Sequence, residues 1–148
     1  MPNFIRGLFP LLTLISLIAC QSPSRGPEGA GPVPAPLLSG KVELDAAVKA
    51  QADPLAVLFI IARNEQGQIV AVKKLLPPFQ WPVDFSLGEA DVMIAGTELS
   101  GKLKLTARLD KDGNANPAQS GDILGKTEQE WVSRGGREIS LKLKEAVP

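Results

Sequence analysis

The strongest constraint on this chain is an alternation of apolar and polar residues that recurs in segment after segment. Leu103, Leu105, Ala107 and Leu109 alternate with Lys102, Lys104, Thr106 and Arg108. Ile139, Leu141 and Leu143 alternate with Glu138, Ser140, Lys142 and Lys144. Trp81, Val83, Phe85 and Leu87 share one phase, and Val42 and Leu44 alternate with Lys41, Glu43 and Asp45. A period of two gathers the apolar set on one face of a strand, whereas on a helix the same residues would scatter around the axis. Each segment therefore reads as a strand with one buried and one wet face. Val57–Ala62 is apolar throughout and suits a central strand covered on both sides; Ile69–Leu76 is a further strand.

Turn chemistry separates the segments. Asn64-Glu65-Gln66-Gly67 closes a hairpin between Val57–Arg63 and Ile69–Leu75. Pro77-Pro78 ends the second of these, because proline cannot donate to a ladder. Asp112-Gly113-Asn114 begins a longer loop, and Arg134–Arg137 is another turn. Asp45–Gln51 and Leu87–Met93 each have room for a short helical turn. The pattern predicts an all-β domain over residues 39–148: an immunoglobulin-like antiparallel β-sandwich of about seven strands with one or two short helical turns. The cysteine–tryptophan–cysteine signature of antibody domains is missing, so "immunoglobulin-like" describes architecture alone.

Residues 1–19 do not fit this pattern. Arg6 gives a positive start, and Gly7–Ile18 is almost wholly apolar but short for a bilayer span. Leu17-Ile18-Ala19-Cys20 then has the form of a bacterial lipobox. Residues 1–19 are thus expected to be a lipoprotein signal peptide, with a covalent lipid on Cys20. Cys20 is the only cysteine, so no internal disulfide can form, and acylation accounts for the odd thiol. Each buried methylene contributes about 0.8 kcal/mol, and a multiply acylated cysteine meets the need for more than one chain. Gln21, rather than Asp, follows the cysteine and favours the outer membrane, facing the periplasm. Residues 20–38 carry many prolines and glycines without periodicity, as expected of a disordered tether reaching at most about 60 Å.

The chemistry inventory is mostly negative. The chain has no histidine and no tyrosine, which removes His-based nucleophile systems and the usual zinc and haem ligands. No glycine-rich phosphate loop stands between a strand and a helix. The sixteen basic and sixteen acidic residues balance, and loss of Arg6 with the leader leaves a charge of −1, so nucleic acid is not an expected partner. The expectation is a non-enzyme with no cofactor beyond its lipid. Asp110, Asp112 and Asn114 have the alternate spacing of a calcium loop, which makes them a weak calcium candidate. The twelfth position is Gly121, beside the shorter Asp122, and a loop whose Asp and Asn satisfy backbone groups explains the same residues. Glu89, Asp91 and Glu98 read as solvated surface. Trp81 is in phase with Val83 and Phe85 and reads as core; Trp131 suits either core or an apolar contact patch.

Several segments, taken in order, resemble a known family. Gly40-Lys41-Val42-Glu43-Leu44, Leu58-Phe59-Ile60-Ile61-Ala62-Arg63 and Val70-Ala71-Val72-Lys73-Lys74-Leu75 are followed by Phe85-Ser86-Leu87, Met93-Ile94-Ala95-Gly96 and Leu99-Ser100. Ala107-Arg108-Leu109-Asp110-Lys111-Asp112-Gly113-Asn114-Ala115, continuing through Pro117 to Gly121-Asp122-Ile123-Leu124-Gly125, is the most specific piece. Residues 39–144 resemble the C-terminal periplasmic domain of the cytochrome c biogenesis family CcmI/CycH. The resemblance implies a β-rich accessory module of cytochrome c maturation, in a family whose helical repeats grip apocytochrome c. On the reading of residues 1–38 given above, a lipid anchor and tether are expected where that family has membrane helices and repeats. The expected function is a lipid-anchored, protein-binding module whose partner is a maturation component or apocytochrome c. Its contact region would be the loop from Asp110 to Gly125 with Arg108 at its base, the candidate partner-binding residues being Arg108, Asn114, Pro117, Gly121 and Asp122. The alternative is a structural or envelope-assembly outer-membrane lipoprotein unrelated to cytochromes.

Overall fold

The computed structural model of the chain describes residues 36–93, 99, 101–114 and 117–148. Strand β1 spans Leu38–Leu44, β2 Val57–Arg63, β3 Ile69–Leu75 and β4 Val83–Leu87. Strand β5 spans Lys102–Asp110, β6 Ile123–Thr127, β7 Val132–Ser133 and β8 Ile139–Ala146. The helical content of the described residues is two single 3-10 turns, Lys49–Gln51 and Glu89–Asp91, inside the two segments expected to turn. Among the described residues no helix is long and apolar enough to cross a membrane.

The strands join in the order β3-β2-β5-β6-β8-β1-β4, with β7 on β5. The sheet curls until its end strands, β3 and β4, touch. Its inner face closes on one core, to which Leu58, Ile60, Leu105, Leu141, Leu143, Val42 and Leu87 contribute. This is an all-β, immunoglobulin-like sandwich approaching a barrel. The alternation carries it: in β5, Leu103, Leu105, Ala107 and Leu109 are buried while Lys102 and Lys104 are exposed. Leu37 and Leu38, the last residues of the Pro/Gly-rich stretch, are also buried in the core.

The 64–67 turn forms as its residues dictate. The Asn64 carboxamide oxygen accepts from Gln66 N at 3.1 Å and Gln68 N at 2.9 Å, and Gly67 takes φ +78°. Strand β4 starts only after Pro82, and Trp81 packs half-buried against the core with its ring 5.7 Å from that of Phe79. Trp131 is half-buried beside the buried Val132 of β7.

Two features depart from the simple alternation. The pairing of β1 with β8, Gly40–Leu44 against Ile139–Leu143, is parallel rather than antiparallel. These are the first and last strands, so no hairpin dictates their relative direction. Strand β6 is not apparent in the sequence because Gly125 interrupts its alternation. The ladder with β8 shifts register between Leu124 and Gly125, and a Cβ at Gly125 would run into the Lys142 carbonyl. The glycine is required by a neighbour far away in sequence.

Candidate partner-binding site

The site is built on the outer face of the sheet. Arg108 and Asp110 point away from the core, two residues apart on β5, so their side chains lie on the same face. Arg108 Nε lies 3.1 Å from Asp110 Oδ2, and the residues are 7% and 1% exposed. The contact is ionic: no N–H is aligned along it. Register sets Phe59 between Lys74 and Arg108, and the two cations stand 5.7 and 5.8 Å from its ring centre. Such cation–π contacts, together with the aliphatic stems, cover the outer face of β2.

The carboxylates organise the loop that follows. Asn114 N donates to Asp110 Oδ1 at 3.0 Å and to Asp112 Oδ1 at 2.8 Å, while Arg108 Nη2 donates to the Asn114 carbonyl at 3.3 Å. Gln119 Nε2 donates to Asp112 Oδ2 at 2.9 Å. Asp122, 2% exposed, receives Lys111 N at 3.1 Å on one oxygen and Gln119 N at 2.9 Å on the other. It thereby pins both ends of the loop. Its backbone carbonyl receives Val147 N at 2.8 Å, tying the loop to the chain end. Gly113 and Gly121 adopt φ +73° and +95°, where a side chain would be strained.

Burial pushes the Asp110 carboxyl above its usual value, helped by its bond to Asp112 and the charge of Asp122, against the pull of Arg108 and of Asn114 N–H. The Asn114 N–H, then the bond to Asp110, holds Asp112 below the usual range. A cation cage needs outward lone pairs. The oxygens of Asp110 and Asp112 face backbone donors, a carboxamide and a guanidinium instead. Among the described residues no group of three or more His, Cys, Asp or Glu side chains could hold a metal ion.

The structure thus brings Arg108, Asp110 and Asp122 together as the buried base of the loop, with Asn114, Pro117 and Gly121 on its exposed rim. Residues 1–35, which include Cys20, the expected leader and most of the expected tether, lie outside the described residues, as do Ile94–Glu98, Ser100, Ala115 and Asn116. Asp91 accepts from Gly88 N and Lys73 Nζ, which makes it a fold contact.

Beside the loop lies a groove of about 500 Å³. Of its lining residues, Ile61, Thr106 and Leu124 are buried or half-buried and form the floor, around which stand the exposed Pro117, Ala118, Lys126 and Lys144 and the half-buried Arg63. Of these residues motif reading singled out Pro117 and passed over the basic ones, Arg63, Lys126 and Lys144. The usable signal was the wet phase of the strands: the polar positions of β5, β6 and β8 are rich in lysine.

Residues 38–143 match the family model for the cytochrome c-type biogenesis protein H Ig-like domain. No curated protein and no solved structure matches the chain.

Proposed function

This chain belongs to the cytochrome c-type biogenesis protein H Ig-like domain family, and on that premise we propose that it is a non-enzymatic, lipid-anchored protein-binding module accessory to cytochrome c maturation. The observation that carries the reading is the family match across the folded domain. Its partner is a maturation component or apocytochrome c, met on the periplasmic side of the envelope. The lipid on Cys20 confines the domain to the membrane surface, and Gln21 directs it to the outer membrane.

Composition supports a binding role over a catalytic one. With no histidine and no tyrosine, the chain lacks the common general bases near neutral pH other than carboxylates. The most buried carboxylates, Asp110 and Asp122, serve the loop backbone. The loop they hold presents Asn114, Pro117 and Gly121 as a preorganised contact edge.

The test is a crosslinked pull-down of the full chain from envelope membranes, paired with haem staining of cytochromes in a deletion strain. Recovery of maturation components or apocytochrome c, with loss of haem-stained bands, is expected. Recovery of unrelated envelope proteins alone, with unchanged cytochromes, would reject the reading.

A further inference from the structure

The outward residues of β2, β5, β6 and β8 carry charge of largely one sign. The groove beside the β5–β6 loop is lined by Arg63, Lys126, Lys144 and the buried Arg108, and Glu145 is the one carboxylate among its lining residues. Lys104 stands next to Arg63 in register and extends the positive field. Apart from the exposed Glu145, the acids at the base of the adjoining loop, Asp110 and Asp122, are buried and accept hydrogen bonds from the loop backbone, so they present no carboxylate to a ligand. Lys126 and Lys144 are exposed and make no ion pair among the described residues.

The sheet order adds a restriction. Strands β2, β5, β6 and β8 each have neighbours on both sides. Their backbone groups are committed to ladders, so a ligand cannot join here as an added strand. It must be held through side chains: anions by the guanidinium and ammonium groups, and an apolar group by the floor of Ile61 and Leu124. A concave space of about 500 Å³ takes a few residues of extended chain, and it suits a flat lipid surface poorly.

We propose that this groove binds an acidic, extended segment of the partner polypeptide. Carboxylates pair with Arg63, Lys126 and Lys144, and an apolar side chain lies on Ile61 and Leu124 under Pro117. The assignment rests on the protein-binding reading and names the chemistry of the partner.

The full chain, purified in detergent, is titrated into a labelled, capped peptide of alternating Glu and Leu while fluorescence anisotropy is read. A peptide with Gln in place of Glu is the control. Saturable binding of the acidic peptide is expected, weakened by added salt and by about tenfold or more in K126E/K144E. K126R/K144R should restore it. Both positions are exposed, so the fold survives the change, and R63Q provides a second variant that should weaken binding in the same direction. Absence of saturable binding, equal binding of the Gln peptide, or unchanged binding by K126E/K144E overturns the proposal. So does a K126E/K144E variant that loses affinity for phosphatidylglycerol vesicles, relative to phosphatidylcholine, while the wild type ignores the peptide; the groove would then be a membrane contact. In the envelope pull-down, a K126E/K144E chain that recovers the wild-type partners removes the groove and spares the protein-binding reading. A wild-type chain that recovers no partner overturns both.

Discussion

Replacing Asp122 with Asn turns one of its two acceptor oxygens into a donor that faces a backbone N–H, either Lys111 N at 3.1 Å or Gln119 N at 2.9 Å. A hydrogen bond to a charged group is worth about 1.5–3 kcal/mol, and a neutral one about 1 kcal/mol. D122N loses one charged bond, weakens the other and strands a donor in a nearly closed site. One term offsets this, because the Asp122 charge helps raise the Asp110 carboxyl and its removal relaxes that repulsion. The expected net loss is about 2–3 kcal/mol for D122N, and about 3–5 kcal/mol for D122A, which gives up both acceptors. Urea unfolding at neutral pH, followed by the fluorescence of Trp81 and Trp131, measures it, with an unchanged slope because the surface exposed on unfolding hardly differs. Faster hydrogen exchange at the Lys111 and Gln119 amides should accompany the loss. A D122A chain within about 0.5 kcal/mol of wild type would refute the claim that this carboxylate holds the loop.

A carboxyl-carbon titration of Asp110 should show a midpoint above 3.8 that moves down in D122N. A raised carboxyl favours folding most below its unfolded value, and that contribution is lost as pH rises through the folded one, so D122N should also flatten this dependence. Asp45 has the opposite sign: the Ala47 N–H, then Lys142, hold it low, so its contribution is present above 3.8 and lost as pH falls through the lowered value. D45N should flatten the acid limb of a stability–pH curve, and an unchanged limb would count against that pairing. Gly125→Ala should cost about 1–3 kcal/mol or more in thermal or urea unfolding, because its Cβ meets the Lys142 backbone. Millimolar calcium should leave the melting temperature unchanged; a rise of several degrees would show that the Asp110–Asn114 turn opens to bind it.

Local patterns carried well into the fold where burial has one sidedness. The strict alternation of Leu103–Leu109 and Ile139–Leu143 marks β5 and β8 because their partners on the core side are uniformly apolar. The continuous apolar run of β2 is explained by Phe59 and Ile61, covered on the outer face by neighbouring side chains and loop rather than by a second sheet. What local patterns could not carry were long-range encounters. Gly125 answers to Lys142, and the parallel match of β1 with β8 is settled only when both chain ends meet. The site was half legible. Asp112-Gly113-Asn114 announces a turn, and Gly113 does take positive φ. Asp122 looked like a near miss for a cation ligand, yet its partners are two amides on opposite limbs of the loop. The groove is a property of register: Arg63, Lys126 and Lys144 come from three strands and have no common spacing along the chain.

The parallel pairing of β1 and β8 also has a mechanical meaning. The chain enters β1 at Leu38 and leaves β8 at Ala146, and a parallel ladder puts these points at opposite ends of the paired strands. Tension applied between the two chain termini therefore loads the interstrand hydrogen bonds in shear, all together, instead of peeling them one by one. A domain fastened by its first strand and pulled through its last would resist as a unit, and single-molecule stretching between the termini would record one high-force rupture.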